Sequence, residues 1–137
     1  MVANHTYTHD SFIDLFPTGK IKEELELTEN TIKRIIQKKV SLFRPPYGIT
    51  NPNIRDAVNQ MGYTTIGWNV RSLDTVIKNN DTIFRRIVKR IKPGSVILMH
   101  DTDQRVLEVV GKIISYASEN GIAIVPLDEL LNVKAYE

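Results

Sequence analysis

Short runs of apolar and β-branched residues alternate along this chain with longer amphipathic segments. The apolar runs lie at residues 42–43, 64–68, 95–99 and 122–125, with a possible further strand at residues 1–4. Each run is short and almost continuously apolar, which is typical of strands that are buried on both faces of a parallel sheet. Because a helix-like segment separates most of these runs, the pattern predicts βα units and a mainly parallel sheet.

Four amphipathic helices are predicted between these strands. Side-chain oxygens that can accept a bond from the first helical turn predict N-terminal caps at Thr18, Asn51 and Asp81. Turn residues and chain-breaking residues predict helix ends near Lys38, at Gly62, before Pro93 and at Asn120. The side chains predicted to face the core are Ile21, Leu25, Thr28, Ile32, Ile35, Ala57, Val58, Met61, Ile83, Phe84, Ile87, Val88, Ile91, Val106, Val109, Val110, Ile113, Ile114 and Ala117. The whole chain, residues 1–137, is therefore predicted to be one α/β domain.

The composition excludes several classes of protein and of site. The 137 residues, 42% of them hydrophobic, suit a single buried core. A net charge of +2 with well-mixed acidic and basic residues gives no electrostatic case for a nucleic-acid or membrane-surface partner. No apolar run approaches the roughly 20 residues of a membrane-spanning helix. Because the chain has no cysteine, nitrogen and oxygen would have to bind any metal.

Side chains able to do chemistry follow the predicted strands. His5, Arg44, Trp68 and His100 lie where four of these strands end. In α/β folds the carboxyl ends of parallel strands share one edge, and active sites collect there. His9 lies four residues after His5, a spacing that lets two imidazoles reach one divalent ion. The sequence therefore predicts a hydrolytic metal site at this edge.

Each motif also has an ordinary structural interpretation. Two histidines four residues apart are, taken alone, more often surface or capping residues than metal ligands. Arg-Pro-Pro-Tyr-Gly alone is a stiff turn, and Trp68 alone is typical of a core side chain. His100 alone is a histidine bonded at a strand end, while Asp101 and Asp103 are predicted to cap the next helix. A solvated helix face is predicted for the basic residues Arg85, Arg86, Lys89 and Arg90.

Four motifs taken together indicate a family. They are Asn4-His5-Thr6-Tyr7-Thr8-His9, Arg44-Pro45-Pro46-Tyr47-Gly48, Trp68 with Arg71-Ser72-Leu73-Asp74, and Ile97-Leu98-Met99-His100-Asp101. In this order they resemble the polysaccharide deacetylases of the NodB-homology type, carbohydrate esterase family 4, over nearly the whole chain. The resemblance implies a distorted (β/α) barrel that binds one divalent metal, usually zinc. It also implies removal of acetyl groups from N-acetylglucosamine polymers such as chitooligosaccharide or peptidoglycan, or from acetylated xylan in some members.

The resemblance also implies a role for individual residues. His5 and His9 match the metal-binding histidines, and Arg44 matches the arginine that holds the catalytic aspartate. Tyr47 matches the residue whose backbone N–H helps to form the oxyanion hole. The remaining matches are His100 as the general acid, Asp74 as the carboxylate that orients it, Leu98 as the lining of the acetyl pocket, and Trp68 as a buried aromatic of its motif.

One departure from the family pattern changes what is expected. The Thr-Phe-Asp-Asp-type first motif, which supplies a third metal ligand and the general base, has no counterpart in this sequence. Asp10 and Asp14 lie near His9 but lack the strand-end context of that motif. At the substrate side, Thr75 stands where many relatives have tryptophan. We therefore expect a partial barrel that lacks its first strand or strands, and we expect that Met1 is not the natural start of the domain.

Two main function classes remain open from the sequence. The first is a metal-dependent carbohydrate N-deacetylase, expected to be weak or inactive as the isolated chain because the two aspartates are missing. The second is a non-catalytic carbohydrate-binding or structural remnant of the same fold, and a hydrolase that uses an unrelated aspartate is a distant third. An incomplete barrel exposes a strand edge and apolar surface, so self-association is expected. Relatives of this family imply action at the cell envelope or outside the cell.

Overall fold

Short strands alternate with α-helices along the chain, as the apolar pattern predicts. The computed structural model describes all 137 residues. In chain order the elements are α1 (Thr18–Ile36), β1 (Leu42–Phe43), α2 (Pro52–Gln60), β2 (Thr64–Thr65), β3 (Val70–Arg71), α3 (Asn80–Val88), β4 (Ile97–Leu98), α4 (Arg105–Glu119) and α5 (Leu127–Leu131). Two compact units contain these elements: Met1–Gly67 with Leu131–Glu137, and Trp68–Leu130. None of the helices is both long enough and apolar enough to cross a membrane.

The first unit is organised around parallel pairing at β1. Leu42 pairs with Thr64 of β2, and Asn4 forms a parallel bridge with Phe43 on the other side of β1. The Asn4 backbone N–H donates to the Leu42 carbonyl oxygen, and the Arg44 N–H donates to the Asn4 carbonyl oxygen. Parallel pairing makes the residues after Asn4 and after Phe43 emerge at the same edge. The buried core beneath them consists of Ile21, Leu25, Val40, Phe43, Ile54, Ala57, Val58 and Tyr63.

The second unit repeats this arrangement with a separate core. Strands β3 and β4 pair in parallel, with Val70 opposite Ile97 and Arg71 opposite Leu98. The segments that follow them, beginning at Ser72 and at Met99, therefore leave the sheet on the same side. Helices α3 and α4 pack over the strands, and the buried side chains are Val70, Ile83, Ile87, Val109 and Ile113.

The helix boundaries confirm some predictions and correct others. Asn51 caps α2 as predicted, since its side chain accepts from the Ile54 N–H. Thr18 does not cap α1, because Pro17 occupies the cap position and no side chain bonds to the first turn. Asp81 is not the cap of α3 either. Asn79 is, because its side-chain oxygen reaches the Thr82 N–H three residues later, the usual cap geometry. Asp81 instead binds Lys112.

Two side chains predicted to face the core lie at the surface. Ile35 of α1 is 71% exposed and Ile114 of α4 is 53% exposed. On α1 the packed side chains are Ile21, Leu25, Ile32 and Ile36, whose spacing follows the same helix face and leaves Ile35 beside it. The buried positions of α4 are Val109, Ile113 and Ala117, four residues apart, and Ile114 lies 100° away from Ile113.

The predicted strands are shorter than their apolar runs, and one is absent. Residues 122–125 form no strand, and Ile124 is 64% exposed. A strand requires a partner for its backbone groups, whereas the one bond recorded for the Ile122 N–H runs back to Ala117 of α4. Residues 1–4 contribute only the Asn4 bridge, while β3 and α5 were not predicted. The Val70–Arg71 run of β3 is too short and too polar to be recognised.

An apolar groove of about 380 Å³ lies in the second unit. Its lining comes from residues 91–97 and Met99, from α4, from residues 122–125 and from α5. Leu98, between Ile97 and Met99, is absent from the lining and is buried, because successive strand side chains point to opposite faces. The groove is therefore a surface separate from the face that Leu98 occupies.

Candidate active site

His5 lies directly after Asn4, at the edge where β1 also ends. Its ring Nδ1 lies 2.6 Å from the carbonyl oxygen of Arg44. A carbonyl oxygen can only accept, so Nδ1 carries the proton of this hydrogen bond. In the neutral imidazole the lone pair is then on Nε2. This is the orientation found in metal-binding histidines, whose second nitrogen donates to a carbonyl or a carboxylate.

The ring of His9 packs against the ring of His5. Their centroids are 4.8 Å apart with the ring planes at 72°. On its other side His9 contacts Tyr47, again with centroids 4.8 Å apart. Thr6 and His9 both have left-handed backbone angles, with φ of 65° and 51°, and this turn folds the segment back so that the two imidazoles meet. The structure therefore brings three predicted site residues into one cluster.

Two prolines restrict the turn that carries Tyr47, while Tyr47 itself lies in the left-handed region, which residues other than glycine rarely adopt. Pro45 and Pro46 restrict the chain, and Tyr47 itself adopts φ 56°, ψ 4° in the 3₁₀ turn Pro46–Gly48. Its phenol ring is 55% exposed, and its hydroxyl lies 3.3 Å from the Ser11 hydroxyl. Arg44, just before this turn, is partly exposed, and its backbone hydrogen-bonds to the Asn4 carbonyl oxygen and to the His5 ring. The predicted guanidinium role of Arg44 and oxyanion role of Tyr47 stay predictions.

The two imidazoles fit part of a metal site. A tetrahedral ion that binds two rings through nitrogen places their centroids about 5 Å apart, close to the spacing of His5 and His9. Nitrogen donors of this kind suit zinc and similar divalent ions. The chain gathers no group of three His, Cys, Asp or Glu side chains that could hold an ion. Asp10, the nearest carboxylate in sequence, accepts from the Phe12 N–H and closes a local turn.

In the second unit, Asp74 and His100 form a hydrogen-bonded pair. The His100 ring Nδ1 lies 2.9 Å from Asp74 Oδ1, and the His100 backbone N–H donates to Oδ2 over 2.6 Å. The Ser72 hydroxyl and the Thr75 N–H also donate to Oδ1. Asp74 is buried, whereas the His100 side chain is 39% exposed. The carboxylate therefore holds a partly exposed imidazole in one orientation.

The pKa of Asp74 reflects two opposing effects. Burial acts to raise it, but the hydrogen bonds from the His100 ring, the His100 backbone and Ser72 together lower it below the ordinary value of an aspartate. An ionised carboxylate can only accept, so Nδ1 of His100 carries a proton and Nε2 is the atom that can gain or lose one. This is the arrangement of an oriented general acid or base.

This pKa shift predicts a loss of stability in acid. Because the pKa of Asp74 is lower in the folded than in the unfolded chain, its ionised form stabilises the fold above the unfolded value of about 3.9. The contribution disappears as the pH falls from there through the folded pKa. Urea unfolding at a series of pH values should show a steeper acid decline for the wild type than for Asp74→Asn. Parallel curves would contradict this assignment.

Leu98 and Trp68, the other two predicted substrate-contacting residues, both lie in the second unit. Leu98 is buried in β4, on the face opposite the apolar groove. Trp68 begins the second unit and is half-buried. Only Asn69 separates it from β3. The predicted substrate contacts of both residues stay predictions.

Sequence reasoning missed three side chains that support the site. Asn4, Glu24 and Ser72 are all buried and all bind a loop or side chain of the two clusters. The sequence could have indicated the role of Glu24, because this residue lies next to Leu25 and three residues after Ile21 on the apolar face of α1. A charged residue in that position needs hydrogen-bond partners when it is buried.

Comparison with known proteins points to one family. The family described as polysaccharide deacetylase matches residues 1–66. The peptidoglycan-N-acetylmuramic acid deacetylase PdaC of Bacillus subtilis is 29% identical over 133 residues, which cover 97% of this chain and 28% of that protein. Three curated relatives are spanned by this chain over only 40%, 28% and 15% of their lengths.

Solved structures confirm the predicted α/β fold of the deacetylase type. A family 4 carbohydrate esterase from Streptomyces lividans, in complex with acetate, is 30% identical with a TM-score of 0.85. The match covers 98% of this chain and 68% of the esterase. BA3943 of Bacillus anthracis, a CE4 family pseudoenzyme, is 28% identical with a TM-score of 0.87, over 95% of this chain and 46% of that one. The similar structures thus include an esterase and a pseudoenzyme.

Proposed function

Because the chain belongs to the polysaccharide deacetylase family, we propose that it supplies part of the active site of a carbohydrate N-deacetylase. The N-deacetylases of this family are hydrolases of N-acetyl amide bonds. The proposed substrate is a poly- or oligosaccharide that contains N-acetylglucosamine, since the relatives include deacetylases of peptidoglycan and of chitooligosaccharide. Such a substrate suggests action at the cell envelope or outside the cell.

The Asp74–His100 pair is the observation that carries this proposal. Hydrolysis of an acetamide releases an amine, which is a poor leaving group unless it is protonated as it departs. His100 Nε2 is the atom proposed to deliver that proton. Asp74 keeps the ring oriented through Nδ1 and stabilises the protonated imidazole with its negative charge. A partly exposed ring beside a buried carboxylate is suited to this exchange.

His5 and His9 would hold the divalent metal, proposed to be zinc. When bound, such an ion supplies Lewis-acid polarisation of a carbonyl and an activated water at neutral pH. The His5 bond to the Arg44 carbonyl oxygen fixes which ring nitrogen has the lone pair. The packing of His9 against Tyr47 limits the rotation of the second ring.

The chain alone is proposed to be weak or inactive. It carries no counterpart of the aspartate pair that the resemblance assigns as third metal ligand and general base. Loss of a general base lowers rates by about a hundredfold to ten-thousandfold, and loss of a ligand weakens the metal. Two imidazoles alone would hold zinc less tightly than the three protein ligands of a typical catalytic site.

A non-catalytic role is the second candidate. Two observations favour it: the similarity to a pseudoenzyme of the same family, and the absence of a group of three metal-binding side chains. In this case the chain would bind acetylated carbohydrate or serve as a structural part without hydrolysing it.

Acetate release separates the two candidates. The zinc-loaded chain is incubated with N-acetylglucosamine oligomers, and acetate is measured before and after chelation. Slow release that stops on chelation is the result expected of a weak deacetylase. Binding of the oligomers without acetate release would support the non-catalytic role, and a rate equal to that of a complete family member would contradict the proposed weakness.

We also propose that the apolar groove of the second unit makes the chain self-associate. Ile124 and Val125 at its rim are 64% and 37% exposed, and Ile114 on α4 is also exposed. Replacing Ile124 and Val125 with lysine is expected to remove about 2 kcal/mol of association free energy, roughly a thirtyfold weaker dimer. Light scattering over a concentration series measures this, with Ser118→Lys as a control on the exposed face of α4. A wild type that stays monomeric throughout would contradict the proposal.

A further inference from the structure

The loop between His5 and His9 is held by side-chain oxygens rather than by a backbone ladder. Four consecutive backbone N–H groups donate to side chains in this way. Thr6 donates to Asn4 Oδ1 at 3.0 Å and His9 donates to Thr6 Oγ1 at 3.2 Å. Between them, the N–H groups of Tyr7 and Thr8 donate to Glu24 Oε2 at 3.1 and 2.8 Å.

Glu24 reaches this loop from the middle of α1. It is only 8% exposed, and the same Oε2 atom accepts a third hydrogen bond from the Thr8 hydroxyl at 2.9 Å. No salt bridge pairs Glu24 with a lysine or arginine. Since a buried carboxylate needs partners, its partners here are the donors of this loop.

These hydrogen bonds hold the loop in a backbone conformation that is intrinsically unfavourable for its residues. Thr6 and His9 lie in the left-handed region, which is unfavourable for residues other than glycine, and Thr6 is β-branched. Such backbone angles persist only where the surroundings impose them. The turn that contains them is what places the two imidazoles 4.8 Å apart.

We infer that Glu24 is a positioning residue for the histidine pair, and that it sets the geometry in which His5 and His9 bind a divalent ion. This inference rests on the proposed function, in which the pair holds the metal. Glu24 accepts from the backbone N–H groups of Tyr7 and Thr8, and through them it holds the loop that joins the two histidines. Its removal should therefore loosen the loop first and weaken metal binding as a consequence.

Cobalt binding and amide exchange together test the inference. Cobalt(II) is titrated into the wild type, Glu24→Ala, Glu24→Gln and the control Glu23→Ala, and its visible absorption is followed. Glu23 is the exposed neighbour on α1 and makes no recorded bond to the loop. We expect Glu24→Ala to bind cobalt about 10 to 100 times more weakly, and Glu23→Ala to bind it as the wild type does.

Glu24→Gln serves as the conservative variant. Its single carbonyl oxygen can still accept from the loop without the charge, so we expect an affinity about three to ten times below that of the wild type, between wild type and Glu24→Ala. In the metal-free chain, the Tyr7 and Thr8 amides should exchange with solvent at least tenfold faster in Glu24→Ala than in Glu23→Ala. If Glu24→Ala does not fold, the cobalt affinity and the amide exchange of Glu24→Gln test the role of Glu24 instead.

The outcomes distinguish this inference from the function on which it rests. A wild type that binds no cobalt would overturn the proposed metal site and the inference with it. Wild-type binding with an unchanged affinity in a folded Glu24→Ala would overturn only the role of Glu24. Weaker cobalt binding without faster amide exchange at Tyr7 and Thr8 would also overturn it, because the effect would not pass through the loop.

Discussion

Where the zinc-loaded wild type releases acetate, replacement of His100 with asparagine is expected to lower that rate by about a hundredfold to ten-thousandfold. Asparagine can place an amide N–H near the position of Nδ1 and so retain a donor to Asp74. It has no counterpart of Nε2, the atom proposed to protonate the leaving amine. The loss should therefore appear in kcat more than in KM.

Three further variants test the Asp74–His100 pair and the residue next to it. Asp101→Asn, at the exposed residue beside His100, should leave the rate near that of the wild type. Asp74→Asn should lower it strongly, because an amide can donate to Nδ1 and stabilise the wrong tautomer of the ring. The double variant should be little slower than His100→Asn alone, since residues that act as one unit are not additive.

A rate in His100→Asn that equals the wild-type rate would contradict the general-acid assignment. Losses in His100→Asn and Asp74→Asn that multiply in the double variant would contradict the role of Asp74 as the group that orients His100. Circular dichroism of each variant distinguishes these results from unfolding, because Asp74 is buried and also binds the backbone of the His100 segment.

Phe43→Ala is expected to destabilise the fold by about 3–5 kcal/mol. Phe43 is fully buried in β1, where it pairs with Thr65 and bridges to Asn4, and it belongs to the core of the first unit. Removing the ring leaves a cavity that the surrounding strands and helices cannot fill. For a chain of this length the thermal midpoint should fall by roughly 10 °C or more.

Ile35→Ala on α1 is the control for this substitution. Its side chain is 71% exposed, so its loss should change stability by no more than about 0.5 kcal/mol. Urea unfolding and thermal circular dichroism measure both variants. Equal effects of Phe43→Ala and Ile35→Ala would contradict the packing of the first unit described above.

The predictable parts of this fold are those that local chemistry decides. Asn51 caps α2 because Asn followed by Pro suits a helix start in almost any surroundings. The prediction that Asp81 caps α3 was wrong. Asn79 lies two residues earlier, and the local sequence does not tell which of the two side chains forms the cap. Residues 122–125 have the apolar composition of a strand and form none, since a strand also depends on a partner that the local sequence does not specify.

The sequence itself determined the alternation of strands and the four longer helices, and the order of its motifs was sufficient to recognise the family and to select His5, His9, Asp74 and His100. Hydrophobic periodicity and motif spacing are local properties, so they can be read along the chain. Tertiary structure decided which ring nitrogen of His5 and of His100 carries the proton, that Glu24 is buried, and which loop Glu24 holds. These properties depend on atoms far apart in sequence, such as Glu24 and Thr8 or Asp74 and His100, which only folding brings into hydrogen-bond contact.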